Sequence, residues 1–340
     1  MSPLIGTGAI ILCACGKEIQ RRLSTLKAAG TGPYKTKAYA DSTHGRDHYP
    51  TGMFDLAFAG LIVLYLIVGA AAGMSTGFLG GGGGVVTVPI LIYVFTFLGY
   101  PEGASVHTAV GTSLFVIIFN AASSSLVHLR KGIIHHRILI AMVVAGVLGA
   151  VAGGTTSAMT ASPIFKKLLG VFLIVTAIRF ARASRSGSKG KGTLNEDGTV
   201  ECPANERDYP PKTFVLCGLI GFFSGFVASF FGIGGGAITI PLGIILVRFT
   251  MIEAICYSTC LMTVCTIVGA AVLMIAGLSA REHVPHSIGY VNYIAGLTMV
   301  VSGTYTAKWA AAKVHTINQV VLIRVITVVI VIAAVGLFIK

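Results

Sequence analysis

Two glycine runs, each set between apolar segments, limit the folds open to this chain. Gly80–Pro89 reads GGGGGVVTVP and Gly232–Pro241 reads GIGGGAITIP, so the second run repeats the first 152 residues later. Bare backbone at such a break is tolerated in lipid only where protein or a water-lined cavity covers it. The pattern therefore predicts a duplicated chain in which a broken helix takes the same place in each half.

Composition assigns the chain to membrane proteins. Hydrophobic residues make up 54% of the 340 residues and charged residues only 11%, which is typical of an all-α polytopic protein embedded in a lipid bilayer. The 43 glycines fit this class because small residues allow transmembrane helices to approach closely. The net charge of +13 comes from a tail and loops beside apolar segments, where orientation in the membrane explains it better than a nucleic-acid partner.

Ten hydrophobic segments divide into two groups of five. We expect a polar and amphipathic N-terminal tail over residues 1–52, a first transmembrane repeat over 53–181, a polar inter-repeat loop over 182–212 and a second repeat over 213–340. The segments lie at about 54–76, 85–99, 106–128, 138–157 and 164–181 in the first repeat, and at 213–231, 237–250, 254–278, 287–306 and 317–339 in the second.

The number of crossings stays open between two layouts. Ten crossings would make the two repeats inverted, an arrangement common in secondary transporters. If each glycine break belongs to a re-entrant element, eight segments cross and both basic regions can face the cytoplasm, which loop charge favours. The predicted fold is thus two homologous repeats of four to five transmembrane segments, with glycine-broken or re-entrant helices at the centre.

The glycine runs are the first candidate binding site. A helix that starts just after a break presents free N–H groups and the positive end of its dipole, which suits an anion. Pro89 and Pro241 are interpreted as structural residues near the helix starts. The alternative is close packing without a ligand. The candidate substrate-binding glycines are Gly81, Gly82, Gly83, Gly84, Gly234, Gly235 and Gly236.

Paired hydroxyl residues follow each run. At an offset of 146, Thr112-Ser113 coincides with Ser258-Thr259, and four hydroxyls could orient the oxygens of an anion without adding a fixed charge. Asn120 is a further candidate donor in the first of these segments. An equally weighted alternative is that these hydroxyls bond their own helix backbone.

His107 and Glu253 also coincide at this offset. Ionisable groups in membrane segments are costly and often functional, so the pair is a candidate for coupling transport to a proton. Since both lie near segment ends, the alternative that they face water carries more weight. Of the seven cysteines, Cys256, Cys260 and Cys265 are interpreted as small buried apolar residues rather than as sulfur-transfer groups.

The sequence carries no signature of an enzyme. It has no zinc-type spacing of His and Cys, and no Gly-Lys-Ser/Thr after either glycine run. His135-His136 is assigned to a basic interfacial loop rather than to a metal site. We therefore expect no catalytic residue, no cofactor and no bound metal.

With the paired glycine runs ending in Pro89 and Pro241 and the segment Ala109–Leu114 (AVGTSL), this sequence resembles the sulfite exporter TauE/SafE family, also called the toluene sulfonate uptake permease family. The resemblance covers about residues 54–338. It implies a multi-pass protein of a cell (plasma) membrane of prokaryotic type that moves sulfur oxyanions such as sulfite, sulfoacetate and other organosulfonates. Tyr257-Ser258-Thr259 replaces Gly111-Thr112-Ser113 in the second half, which departs from strict equivalence of the halves.

The resulting prediction is a secondary transporter of small sulfur-containing oxyanions, with sulfite export as the first assignment. Its expected partners are a small inorganic or organic sulfur anion, a candidate coupling proton and a second copy of the chain in a homodimer. The alternatives are a carrier or exchanger of another small anion, such as an organosulfonate, thiosulfate or a carboxylate, and an anion channel. A membrane protein that handles sulfur through its cysteines is a third alternative.

Overall fold

The computed structural model of the protein describes residues 51–129, 135–185, 211–280 and 284–313. The predicted tail up to residue 50, most of the predicted inter-repeat loop and the last predicted segment, 317–339, lie outside the described residues. The described part is mostly helical. Its helices are α1 (Thr51–Leu79), α2 (Gly84–Phe97), α3 (Glu102–Leu129), α4 (His136–Met159), α5 (Ser162–Arg185), α6 (Pro211–Phe231), α7 (Gly236–Leu242), α8 (Met251–Leu278) and α9 (Tyr293–Lys313).

Within those ranges, five helices are long and apolar enough to cross a membrane. They are α1, α3, α4, α6 and α8. A mostly helical structure with several such segments agrees with the predicted all-α polytopic class, because only helices satisfy the backbone in lipid without forming a closed barrel. The helix bounds fall within a few residues of most of the predicted segments.

Three boundaries differ from the prediction. Helix α1 already begins at Thr51, α5 continues to Arg185 inside the predicted inter-repeat loop, and α6 begins at Pro211. The predicted segment 287–306 is not a single helix. It opens with a hairpin of two short strands, β1 (Ser287–Ile288) and β2 (Val291–Asn292), and only then continues as α9.

The helices that follow the glycine runs are short. Helix α2 has 14 residues, which is about 21 Å of helix, and α7 has seven, which is about 10 Å. A turn of π-helix, Gly243–Val247, extends α7. Both are shorter than the hydrocarbon core of a bilayer, about 30 Å.

Glycines set how closely the long helices pack. A Cβ added at Gly73 of α1 would lie 2.1 Å from the carbonyl oxygen of Gly303 in α9, and one at Gly225 of α6 would lie 2.1 Å from that of Gly146 in α4. No side chain fits at such distances. Helix α1 therefore packs on α9, and α6 packs on α4, with backbone against backbone.

The hairpin fits between α3 and α8. A Cβ at Gly111 of α3 would lie 2.1 Å from Tyr290 O, and one at Gly289 would lie 2.1 Å from Met274 O of α8. Asn292 ends the hairpin and starts α9, because its side-chain oxygen accepts a hydrogen bond from Ala295 N at 3.0 Å. Irregular backbone at this place is thus covered by protein on two sides.

Candidate functional site

The two glycine runs meet in the interior of the helix bundle. We call residues 80–83 the first loop and residues 232–235 the second loop. A Cβ at Gly82 would lie 2.9 Å from Gly234 Cα, and a Cβ at Gly234 would lie 2.9 Å from Gly82 Cα. All the glycines of both loops are buried. The short distance between the loops is sufficient to require glycine at positions 82 and 234.

Each loop also touches the start of the short helix after the other loop. A Cβ at Gly84 would lie 2.2 Å from Gly232 O, and a Cβ at Gly236 would lie 2.0 Å from Gly80 O. The same contact is therefore made twice, with the roles of the two loops exchanged. Close packing, the alternative to a ligand, accounts for these two glycines by itself.

The backbone of the loops adopts left-handed conformations that favour glycine. The φ angles are 59° at Gly80 and 69° at Gly232, and 84° at Gly82 and 87° at Gly234. The φ angles of the two loops no longer agree at the residue before each short helix. Gly83 has φ 67°, whereas Gly235 has φ −75° in the right-handed region, so the two loops present their last N–H groups differently.

Several backbone donors of the loops have no acceptor. Among the described residues, the N–H groups of Gly81, Gly82 and Gly83 donate no hydrogen bond, and neither do those of Ile233, Gly234 and Gly235. A buried N–H without a partner costs free energy, so such donors in native proteins usually have a water or a ligand. Their concentration at two adjoining loops is the chemical feature that distinguishes this place in the bundle.

Ser113 and Ser258 each hold the loop of the opposite half. Ser113 Oγ donates to Gly232 O at 2.7 Å, and Ser258 Oγ donates to Gly80 O at 2.8 Å. These reciprocal bonds pair residues 145 positions apart, one fewer than the predicted offset of 146. We call these two residues the serine clasps.

The corrected offset pairs Thr112 with Tyr257, and the two residues do form corresponding bonds. Thr112 Oγ1 accepts a hydrogen bond from Asn292 N at 2.9 Å, and the Tyr257 hydroxyl accepts one from His135 N at 2.9 Å. Both N–H groups come directly before a helix, α9 or α4. Thr259 instead donates to carbonyls of its own helix, at Ile255 and Cys256, as the alternative for these hydroxyls anticipated.

Asn120 is the predicted site residue with unused hydrogen-bonding capacity. It is fully buried, and neither its amide nitrogen nor its oxygen has a partner among the described residues. A Cβ at Gly303 of α9 would lie 2.7 Å from its Oδ1. Asn120 is seven residues after Ser113 on α3, which is about 10 Å along the helix axis.

His107 and Glu253 have different surroundings. His107 lies buried on α3 between the rings of Phe165 and Tyr290, with centroids 6.2 and 5.2 Å away, and its Nδ1 has no partner within the described part of the chain. The offset of 145 pairs His107 with Ile252 rather than with Glu253.

Glu253 takes part in a capping box at the start of α8. Its Oε2 accepts a hydrogen bond from Thr250 N at 2.7 Å, and the Thr250 hydroxyl accepts one from Glu253 N at 3.3 Å. The sequence pattern Thr-x-x-Glu is the known signal for this motif, and it was present at residues 250–253. The other carboxylate oxygen of Glu253 is buried and has no partner in the described ranges.

Pro89 and Pro241 lie a few residues inside the short helices. Each is the sixth residue of its helix. A missing N–H has no consequence in the first turn of a helix, but both prolines lie beyond that turn. Pro89 therefore removes the helical donor to Val85 O, and Pro241 the donor to Ala237 O. Helix α7 ends one residue after its proline.

Sequence reasoning missed two residues that contact the loops. Ser224 of α6 donates a hydrogen bond to Gly235 O at 2.8 Å and lies next to the Thr239 hydroxyl. In the first half Ala72 takes this place, and a Cβ at Gly83 would lie 2.4 Å from its carbonyl oxygen. The second is Met262 of α8, whose sulfur touches both loops. Aligning the halves at an offset of 152 would have revealed the Ala72–Ser224 difference.

Cysteines and metal ligands add no second site. Cys256, Cys260 and Cys265 are all buried in the apolar packing around α8. Across the described residues, no group of three His, Cys, Asp or Glu residues lies close enough to hold a metal ion.

The glycine-centred fold has relatives among known sequences. The family model described as sulfite exporter TauE/SafE matches residues 65–337, most of the chain. This chain belongs to the sulfite exporter TauE/SafE family. The match begins within α1 and extends through the described part of the second half, so it includes both glycine loops.

Three relatives of this TauE/SafE chain have been named as probable membrane transporter proteins. The protein of Methanocaldococcus jannaschii is 30% identical over 75% of this chain and 86% of its own length. The one from Bacillus subtilis is 26% identical over 81% and 96%, and the one from Haemophilus influenzae is 23% identical over 82% and 98%. No solved structure matches the chain.

The family and the helices together establish an integral, multi-pass membrane protein. The names of these relatives describe membrane transport and not catalysis. The TauE/SafE assignment thus supports a transport function, in agreement with the sequence, which has no enzyme signature.

Proposed function

We propose that this TauE/SafE chain is a secondary transporter of small sulfur-containing oxyanions, with sulfite export as the first assignment. The proposed site lies where the two glycine loops meet. The observation that carries the proposal is the set of buried loop N–H groups without an acceptor among the described residues, at Gly81, Gly82, Gly83, Ile233, Gly234 and Gly235. Oxyanions accept several N–H bonds at once, and backbone donors hold them without a fixed positive charge that would slow release.

The reciprocal contacts support a duplicated architecture. The loops correspond at an offset of 152, α3 and α8 at 145, and α4 and α9 at 157, since Gly146 and Gly303 face equivalent glycines of α6 and α1. The offsets change where connecting segments differ in length. In this proposal the chain consists of two repeats, and the loops are paired breaks at the centre.

The polar side chains around the loops take separate roles in the proposal. The serine clasps hold the loop carbonyls and so keep the backbone N–H groups facing away from them. Thr112 and Thr259 have protein partners and serve as framework residues. The amide of Asn120 has no partner within the part of the chain that the structure describes, and Asn120 is proposed as the side chain that offers an additional hydrogen bond to the anion.

His107, rather than Glu253, is proposed as the residue that binds the coupling proton. His107 is buried with one ring nitrogen unpartnered among the described residues, whereas Glu253 already fills a structural role in its capping box. A histidine exchanges a proton near neutral pH when water reaches it. The homodimer stays a prediction.

The groups of helices that would move together do not coincide with the two halves of the sequence. Helix α1 of the first half packs on α9 of the second, and α6 of the second packs on α4 of the first. We define bundle A as α1, α2, α3 and α9, and bundle B as α4, α6, α7 and α8. In this proposal alternate exposure of the site comes from bundle A moving against bundle B, with the loops and the α3–α8 contact between them.

The test is transport by the purified protein in liposomes. Radiolabelled sulfite flux would be measured with and without a pH gradient, in competition with sulfate, thiosulfate, sulfoacetate and acetate, and protein-free liposomes would provide the background. We expect saturable flux that sulfur oxyanions block more strongly than acetate does.

The other outcomes separate the alternatives. Flux that acetate blocks equally would retain an anion carrier but remove the sulfur assignment. Current without saturation or counter-transport would indicate a channel. No flux of any of these anions in either direction would contradict the proposed function.

A further inference from the structure

Met262 occupies the junction of the two glycine loops. Its sulfur would lie 3.0 Å from a Cβ at Gly82 and 3.0 Å from a Cβ at Gly234, and its methyl carbon would lie 2.5 Å from a Cβ at Gly236. It is fully buried. One side chain of α8 therefore lies against both loops, where the N–H groups without a partner among the described residues are concentrated.

The corresponding residue of α3 is Ile117, 145 positions earlier. Ile117 is also buried and packs with Met262 and Ala121 in one small cluster. The atoms nearest to Gly82, Gly234 and Gly236 include those of Met262 and none of Ile117. The two halves thus differ at this position: among the described residues, Met262 lies this close to both loops and Ile117 does not.

Methionine is suited to a boundary that must change shape. Its unbranched chain has three rotatable bonds, and its thioether is polarizable and offers no charge. A β-branched isoleucine is restricted at its first torsion angle and adapts much less. An anion that reaches the loops must share space with the Met262 side chain, so the volume left by that side chain limits the size of the anion.

We infer that Met262 is a specificity-determining residue, which limits the size of the group that an oxyanion can carry into the site between the glycine loops. This inference rests on the proposed function and goes beyond it by assigning selection among sulfur anions to one side chain. In this view the backbone donors recognise the oxyanion, which sulfite and the sulfonates share, and Met262 distinguishes a bare oxyanion from one with an alkyl tail.

The test is a competition series in liposomes with anions of equal charge. Methanesulfonate, ethanesulfonate and propanesulfonate differ by one methylene each, and their inhibition constants against radiolabelled sulfite flux would be measured. In Met262→Ala, the ratio of the inhibition constants of propanesulfonate and methanesulfonate should fall about tenfold, because one methylene in a fitted pocket changes discrimination about tenfold or more. Met262→Leu, of similar volume, should stay within about twofold of the wild type.

Ile117→Ala is the matched control. It removes apolar volume from the same cluster but leaves the side chain at the loops in place, so the ratio should not change. Should Met262→Ala fail to fold, Met262→Val shortens the side chain less and should move the ratio in the same direction.

The outcomes separate the two levels of the proposal. A wild-type protein without sulfite flux would contradict the proposed function itself. Sulfite flux with an unchanged ratio in the folded Met262 variants would overturn only the specificity role. An equal shift in Ile117→Ala would also overturn it, because the effect would then belong to the cluster and not to Met262.

Discussion

The serine clasps show how single hydroxyls hold the loops of this protein. Ser113 and Ser258 each donate to a loop carbonyl of the opposite half, and these carbonyls have no helical donor because the helix is broken. A buried carbonyl that loses its donor costs free energy. The two residues therefore stabilise the broken backbone at the proposed site.

Removal of a clasp should lower stability more than it changes substrate affinity. We expect Ser113→Ala and Ser258→Ala each to lower the free energy of unfolding by about 1 kcal/mol, with the KM for sulfite changed less than about threefold. The measurements are thermal unfolding in detergent and sulfite flux in liposomes.

Thr259→Val is the control for the clasp variants, because the Thr259 hydroxyl bonds carbonyls within its own helix. Its loss should change stability by less than the loss of a clasp. A large rise in KM at unchanged stability in Ser113→Ala would contradict the structural role of Ser113. It would instead indicate that the Ser113 hydroxyl binds the anion.

At this scale the sequence predicts residue types better than their partners. The hydroxyls near residues 112 and 258 were found from the repeat, and Asn120 was found as a polar residue in an apolar segment. Their partners depend on contacts across more than 100 residues, such as the bond from Ser113 to Gly232, and a shift of one residue in the alignment exchanged Tyr257 for Ser258 as the counterpart of Thr112.

Among the helices, glycine faces determine which pairs can touch. Helix α6 presents Gly221 and Gly225 to α4, where added Cβ atoms would lie 2.2 and 2.1 Å from carbonyl oxygens of Met142 and Gly146. Such helices associate through close backbone packing, since lipid provides no hydrophobic force between them. A methyl group on such a face must separate the whole pair.

Gly225→Ala should therefore disrupt the α4–α6 pair. We expect it to lower the yield of monodisperse protein in size-exclusion chromatography and to lower its thermal midpoint, although alanine favours helix by about 1 kcal/mol relative to glycine. Gly60→Ala in α1 is the matched control, because no atom lies within 4 Å of a Cβ there. Its stability should be unchanged or higher, and equal behaviour of the two variants would contradict the packing argument.

Helix positions follow from apolar segment length, which is why most bounds agree within a few residues. The hairpin before α9 could not be predicted in this way, because Ser287–Asn292 is short and continues into an apolar segment. Its conformation depends on α3 and α8, which provide the backbone surfaces that Gly289 and Tyr290 contact. Apolar composition identifies burial here but does not distinguish a helix from a covered hairpin.

Across the whole molecule, the exchange of helices between halves defines the units of the proposed motion. A cross-link within bundle A should leave transport intact, whereas one between the bundles should stop it. For the first, Phe78→Cys and Trp309→Cys join α1 to α9, where the two rings lie 6.0 Å apart. For the second, Leu114→Cys and Gly269→Cys join α3 to α8, where a Cβ at Gly269 would lie 3.2 Å from Leu114 Cδ1.

Both pairs would be made in a chain whose native cysteines are replaced, and joined with a short bifunctional thiol reagent. Each uncross-linked double variant is the baseline for its own cross-linked form, so any effect of the substitutions themselves cancels. Full flux after the α3–α8 link would contradict motion between the bundles. Loss of flux after the α1–α9 link would contradict bundle A as a unit.

The pairing of α1 with α9 also has a consequence for biosynthesis. The Thr306 hydroxyl bonds the carbonyl of Ala70, a contact that spans 236 residues. At the usual rate of synthesis, roughly 12 to 50 s pass between the emergence of the two partners from the ribosome. During that time the glycine face of α1 is in the membrane without its partner helix α9. The first half therefore leaves the ribosome as an incomplete structure, which is completed only when the second half has been synthesised.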